Sequence, residues 1–300
     1  MLFPFPGFPV GPAAGWCKTL DQVHQLSLSS ASYVMTGSYT VAPRDGNPGN
    51  VFNVDPDFSL NSLGLPNSGL AYLQKRGRDM VEIAHSFDKP IYLSVAGFTP
   101  EEYRILAHLG FECGFDGVEL NLGCPNVADG GKRKSIASFD LTVVDEILYS
   151  VGPPPEESIL LAKVSPMTNP NDIADLADLI RYYPVFAVVT MNTLPNCLDF
   201  DSAGRTVIQT PDATGWAGGA GKFLLPIALG QISQWRKALP ANIRVWGVGG
   251  VQSGDAVRKM LYAGASVVQV ATALFLFGPR IFSDIASEYL DLEPLENICA

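Results

Sequence analysis

The sequence predicts an α/β fold, a single closed (β/α)8 TIM barrel over residues 1–300 with long loops at the C-terminal face. Three observations predict it. Eight short apolar stretches recur, near residues 10, 33, 92, 119, 161, 187, 245 and 268, each followed by a segment of helical periodicity. Most of these stretches are apolar throughout rather than alternating, as strands covered on both faces of a parallel sheet are. Eight such repeats in 300 residues suit a closed barrel. An open doubly wound sheet is the competing arrangement, but the Gly-x-Gly-x-x-Gly fingerprint after the first strand is absent.

Each element has its own signal. The first strand is a weak one at Val10, and Thr19 caps a helix carrying Leu20 and Val23. Tyr33–Thr36 reads as the second strand. A long polar, glycine-rich loop runs from Gly37 to about Gly69, followed by a helix over 71–87. Ile91–Ala96 is a strand, and Thr99-Pro-Glu-Glu102 is a capping-box start to the next helix. Gly117–Leu122 is the fourth strand, ending abruptly in Gly123-Cys124-Pro125. Helix 139–151, strand Ile159–Val164, helix Asn171–Tyr182 and strand Val185–Thr190 follow. A second long loop spans Asn192 to about Gly221. Helix Leu224–Leu239, strand Ile243–Gly250, a helix from Ser253, strand Val267–Thr272 and a closing helix Pro279–Leu292 complete the series.

Composition excludes several function classes. Apolar residues make up 47% and charged residues 17%, which allows a large core. A net charge of -10 disfavours a sequence-independent nucleic-acid surface. No apolar run reaches the roughly 18–20 residues that span a bilayer, and the proline-broken N-terminus, lacking a basic start, does not read as a convincing signal peptide. The five cysteines hold no Cys-x-x-Cys pair, which suits a reducing compartment and argues against a zinc or iron-sulfur site, so no metal is expected. His24, His85 and His108 all fall in helical segments, so a Ser-His-Asp or Cys-His mechanism has little support.

The chemistry-bearing residues fall at strand ends, where a barrel builds its site. Asn61 follows the second strand, Asn121, Cys124 and Asn126 close the fourth, Lys163 lies on the fifth, and Asn192 and Thr193 follow the sixth. Asparagine both donates and accepts, so several converging amides can hold a planar, imide-like ring. A lysine in an apolar strand needs an anion or an electron-rich cofactor atom unless it snorkels out. Gly249-Gly250 after the seventh strand and Ala271-Thr272 ending the eighth offer backbone N–H groups to a phosphate. Cys124 is the one candidate for proton transfer, since a neighbouring charge can favour its thiolate.

Asn61-Ser-Leu-Gly-Leu-Pro-Asn67, Glu119-Leu-Asn-Leu-Gly-Cys-Pro-Asn-Val127, Val248-Gly-Gly-Val251, Gln269-Val-Ala-Thr-Ala-Leu274 and Arg44-Asp-Gly-Asn-Pro48 carry a family likeness. Through them the chain resembles the dihydroorotate dehydrogenases, in particular the soluble class 1A flavoproteins of pyrimidine biosynthesis. The resemblance implies FMN as cofactor, dihydroorotate as substrate, fumarate as acceptor and a cytoplasmic homodimer. It would make Cys124 the base for the C5 proton. It would set Asn61, Asn121, Asn126, Asn192 and Thr193 on the pyrimidine, and the backbone of Leu63, Gly64 and Leu65 on the carboxylate. Lys163 would contact the flavin ring, with Ala13, Ala14 and Gly15 packed on it. Gly219, Gly249, Gly250, Ala271 and Thr272 would surround the phosphate.

The chain also departs from that family. Gly37 stands where the resemblance implies a lysine between flavin and substrate, with no lysine nearby in the strand end Val34–Thr40. Gly123 stands for a serine, an arginine is missing from Gly49–Phe52, and Pro195 interrupts a glycine-rich loop. The loop after Cys124 is longer and carries Lys132, Arg133 and Lys134, which could reach in as a replacement. A lost charge-assisted bond weakens carboxylate binding by about 1.5–3 kcal/mol. That leaves open an alternative, a flavin reductase or desaturase of the same fold acting on an uncharged ring or activated alkene. Asn-x-Gly-Cys-Pro is also similar to the transfer-RNA dihydrouridine synthases, a substrate the acidic charge speaks against. A barrel that only binds a phosphorylated ligand is the non-enzymatic reading.

Overall fold

The computed structural model describes residues 7–55, 57–125, 128–129, 132–133 and 135–292. Strand β1 (Val10–Pro12) leads to helix α1 (Leu20–Leu28), then β2 (Val34–Met35), β3 (Phe52–Val54), β4 (Ser59–Asn61) and α2 (Gly69–His85). Next come β5 (Ile91–Val95), α3 (Pro100–Cys113), β6 (Gly117–Asn121), and a hairpin of β7 (Ala128–Asp129) and β8 (Lys132–Arg133). Helix α4 (Leu141–Val151), β9 (Ile159–Val164), α5 (Pro170–Ile180), β10 (Ala187–Thr190), β11 (Leu194–Cys197) and β12 (Ala217–Ala220) follow. Helix α6 (Leu225–Ala238), β13 (Arg244–Val248), α7 (Gly254–Tyr262), β14 (Val267–Val270), α8 (Thr272–Phe277) and α9 (Ile281–Asp291) complete the order.

Eight strands form one sheet in the order β1-β14-β13-β10-β9-β6-β5-β2, and every pair in it is parallel. These are the eight predicted strands. The seam between β1 and β2 is bridged just beyond their ends. Cys17 pairs there with Thr36, and the Gly37 N–H donates to the Cys17 carbonyl. The result is a nearly closed barrel wrapped by helices.

Period-two geometry divides the core in two. Val118, Leu120, Leu160, Ala162 and Val164 point outward and pack under the helices with Leu106, Ile147 and Ile173. Tyr33, Tyr92, Ile159, Leu161, Val189 and Trp246 point inward and plug the barrel. The Tyr33, Tyr92 and Trp246 rings lie 5.5 Å apart, centroid to centroid, in each pair. The same alternation turns Glu119, Asn121 and Lys163 inward, above that plug. In register, Asn121 stands beside Lys163 across β6 and β9.

The helix starts are those the sequence signals. Thr19 accepts from the Gln22 N–H, Thr99 from Glu102 and Ser253 from Ala256. Helix α3 stops at Gly114, whose φ of 91° is left-handed. Two differences bear on the site. The two long loops are not structureless: they pair as a four-stranded antiparallel sheet, β11-β12-β4-β3, with Leu60 opposite Gly219 and Asn61 opposite Gly218. Thr272 starts the short helix α8 rather than ending the last strand. Among the described residues no helix is long and apolar enough to cross a membrane.

Candidate active site

The C-terminal ends of the barrel strands open into two hollows that merge at Ala14, Lys163, Asn192, Thr193, Ala271 and Thr272. The inner one reaches Ala13, Gly249, Gly250 and Gln269. The outer one reaches Gly15, Lys18, Asn61, Leu63, Asn121 and Cys124. The four-stranded sheet of long loops supplies Asn61 and Ala220 to the wall, so it shapes the cleft.

The floor is charged. Lys163 points into the barrel with a side chain only 6% exposed, and its nearest carboxylate oxygen, Glu119 Oε1, is 4.0 Å away. Its Nζ also donates to Gln269 Oε1 at 3.4 Å. Two buried charges offset each other's desolvation, and neither is stable there alone. Lys163 therefore does not snorkel out of the barrel.

A chain of hydrogen bonds links this floor to the rim. Asn192 Nδ2 donates to Asn121 Oδ1 at 2.9 Å, and Asn121 Nδ2 donates to Ser38 Oγ at 2.8 Å. Ser38 and Ser94 hydroxyls are 2.9 Å apart, and Ser94 donates onward to Glu119 Oε1 at 3.0 Å. Since Ser94 spends its one proton on Glu119, Ser38 is the donor between the two serines. Asn192 Oδ1 takes the Thr193 N–H, and Tyr103 donates to the Asn121 carbonyl at 2.8 Å. Each amide is thus fixed in orientation before any ligand arrives.

Cys124 follows directly on this frame. The Leu122 N–H donates to the Lys163 carbonyl at 2.8 Å, locking the end of β6 to β9. A Cβ at Gly123 would lie 2.5 Å from Ser165 N, so the close approach of the two strands requires glycine before the cysteine. The half-buried Cys124 lines the outer hollow. His24, His85 and His108 lie on or at the ends of helices away from the cleft, as predicted.

The loop over the outer hollow is braced by the Arg44–Asn47 motif. Arg44 Nε donates to the Gly64 carbonyl at 2.9 Å and Asn47 Nδ2 to the Ser62 carbonyl at 2.8 Å. Gly64 and Leu65 hold φ of 72° and 59°, and a non-glycine residue in that region is uncommon. Among the described residues no acceptor takes the N–H groups of Leu63, Gly64 and Leu65. Consecutive N–H groups of this kind attract anions. At the inner end, Gly249 and Gly250 have φ of 124° and 81° and precede the Ser253 cap of α7. Their backbone borders the hollow beside Ala271 and Thr272.

Of the residues singled out from sequence, Ala13, Ala14, Gly15, Asn61, Leu63, Gly64, Leu65, Asn121, Cys124, Lys163, Asn192, Thr193, Gly249, Gly250, Ala271 and Thr272 line this one cleft. Gly219 is displaced: it pairs with Leu60 inside the small sheet, its missing side chain would meet Cys197, and Ala220 and Gly221 border the cleft instead. Asn126 and Lys134 lie outside the described residues, and of Lys132 and Arg133 only the β8 backbone is described. Sequence reasoning missed Lys18, Ser38, Glu119, Phe52 and Phe275. The strand end Val34–Thr40 holds no lysine, but the Lys18 side chain lies over Gly37 from across the seam.

Comparison with known proteins places nearly the whole chain in one family. The family described as dihydroorotate dehydrogenase matches residues 5–292. The chain is 34% identical to a dihydroorotate dehydrogenase (fumarate) of Trypanosoma cruzi, covering 95% of this chain and 89% of the relative. It is 31% identical to dihydroorotate dehydrogenase A (fumarate) of Lactococcus lactis, covering 91% and 86%. In fold it is similar to the Eimeria tenella enzyme crystallised with ferulenol, with a TM-score of 0.75, 19% identity, and 94% and 80% of the two chains covered. On the match across nearly its whole length, the chain belongs to the dihydroorotate dehydrogenase family.

Proposed function

We propose that this chain is one FMN-binding unit over residues 1–300 that oxidises dihydroorotate to orotate and passes the electrons to fumarate. The names of its relatives support the reaction. The observation that carries it is the placement of Cys124 and Lys163 on the walls of one hollow that Asn61, Asn121 and Asn192 also line.

The residues present fit a flavin. The Lys163 ammonium makes only long contacts, 3.4 Å to Gln269 and 4.0 Å to Glu119, and so has donors to spare for an electron-rich ring edge. Ala13 and Ala14 leave room for a flat ring, and Gly249, Gly250, Ala271 and Thr272 offer backbone N–H groups to the phosphate. When bound, FMN supplies the acceptor for the hydride that leaves C6 of the substrate. Cys124 Sγ takes the proton from C5 of the substrate. Asn61, Asn121, Asn192 and Thr193 hold the ring's imide edge, with Asn126 assigned there from the resemblance. The free N–H groups of Leu63, Gly64 and Leu65 donate to the carboxylate. The uncharged-ring alternative is not favoured, because a lysine and these donors border the same hollow.

The active form is a cytoplasmic homodimer, a reading that rests on the class 1A resemblance and is checked by its mass in solution. None of the four described cysteines is in a disulfide, which suits a reducing compartment. The reaction is tested on FMN-loaded protein without oxygen. Dihydroorotate bleaches the flavin, and Cys124→Ala slows bleaching by about 10²–10⁴-fold with flavin still bound. An unchanged rate removes Cys124 from the reaction.

A further inference from the structure

We propose that Lys18 binds the substrate's carboxylate, reaching it from the β1–α1 loop through the space that Gly37 leaves open. The identity of that ligand rests on the proposed function. The site itself rests on geometry.

The Lys18 backbone is fixed on both sides. Its N–H donates to Gln22 Oε1 at 2.8 Å, and its carbonyl accepts from the Tyr39 hydroxyl at 2.6 Å. From there the side chain crosses the β1–β2 seam. A Cβ built on Gly37 would lie 2.5 Å from Lys18 Cε and 2.8 Å from Cγ. Any side chain at residue 37 therefore displaces this lysine, so the glycine and the lysine are two halves of one feature.

The ammonium arrives among groups that lack an anion. Lys18 lines the outer hollow with Cys124, Asn61 and the Leu63–Leu65 loop. Its Nζ donates to the Pro66 carbonyl at 2.5 Å, one residue beyond the three unspent N–H groups. Among the described residues no carboxylate lies within ion-pair distance of it, whereas Lys163 has Glu119. A half-buried cation beside three unsatisfied N–H donors matches one planar carboxylate.

The charge balance agrees. Burial pushes the Lys18 ammonium down to about 8, with the nearby Cys124 thiolate pulling it partly back. An arriving carboxylate favours the charged form. The same proximity lets Lys18 favour the thiolate of Cys124.

The test uses the full FMN-loaded chain and follows the flavin absorbance change on titration with orotate and with uracil, the same ring without a carboxylate. Wild type binds orotate more tightly than uracil. Lys18→Met and Lys18→Gln each weaken orotate about ten- to hundredfold, leave uracil affinity and flavin content unchanged, and raise KM more than they lower kcat. Orotate binding that survives in both variants overturns the inference, as does an equal loss of orotate and uracil. A wild-type chain that prefers neither ligand overturns it too. A chain that prefers orotate through Lys18 yet is not bleached by dihydroorotate supports this inference and overturns the proposed reaction.

Discussion

Lys163 and Lys18 line the same cleft, but one is built into the barrel and the other leans over its seam. Lys163 is placed by strand alternation, points inward beside Glu119, and is almost fully buried. Lys18 is placed by a loop, has a carbonyl as its Nζ partner, and owes its position to a neighbouring glycine. The difference separates two uses of one residue type. A cation with a resident carboxylate is part of the scaffold and can present spare donors to a cofactor held for many turnovers. A cation without one is matched to an anion that comes and goes.

The largest break in this comparison is at the floor. Lys163→Met leaves Glu119 buried without its cation and destabilises the fold by about 3–5 kcal/mol. Thermal unfolding should show the loss, together with reduced flavin content. An unchanged Tm would mean that the pair, at 4.0 Å, contributes nothing.

pH distinguishes the rim. With Lys18 at about 8, its ammonium is present below that pH and lost above it, so orotate affinity is level below about pH 8 and falls up to tenfold per unit above. Cys124 faces the same ammonium, and its deprotonation adds a negative charge that also repels the ligand. Tyr39, on the other side, is held protonated by burial. The profile is therefore best taken in Cys124→Ala, where the fall begins at lower pH because the Cys124 charge that holds the ammonium up is gone. A level profile to about pH 9.5, roughly one and a half units beyond Lys18, removes the ammonium from the binding site.

The smallest expected effect is at Gly37. Gly37→Ala places a Cβ against Lys18 Cε, the far end of a flexible side chain, so the lysine moves and the fold does not. Orotate affinity should drop severalfold with stability changed by less than about 1 kcal/mol. Equal affinity would show that Lys18 does not need the space over Gly37.

The barrel was legible because its strands are apolar runs with conventional helix caps, signals that act within a few residues. Cys124, Asn121 and Lys163 were legible for a related reason: polar or reactive groups at the ends of apolar strands stand out. The small sheet was not, because β4 (Ser-Leu-Asn) and β12 (Ala-Gly-Gly-Ala) are strands of three and four residues with little apolar pattern, and their partners lie far apart in the chain. Gly219 was misplaced by the same pairing. Glu119 hides as one acid in an apolar strand, and only its register beside Leu161 and its inward direction mark it. Lys18 sits just before the Thr19 cap and reads as an ordinary helix-start residue. Its contact with Gly37 exists only once the barrel closes.

The central claim is that the cleft carries out dihydroorotate oxidation with Cys124 as base. Its most direct test is an anaerobic titration of the FMN-loaded chain with dihydroorotate, followed by fumarate. The account predicts bleaching of the flavin, release of orotate, and return of the flavin colour on adding fumarate, with Cys124→Ala blocked at the first step. A flavin that stays oxidised in the wild-type chain, with dihydroorotate unconverted, would contradict it.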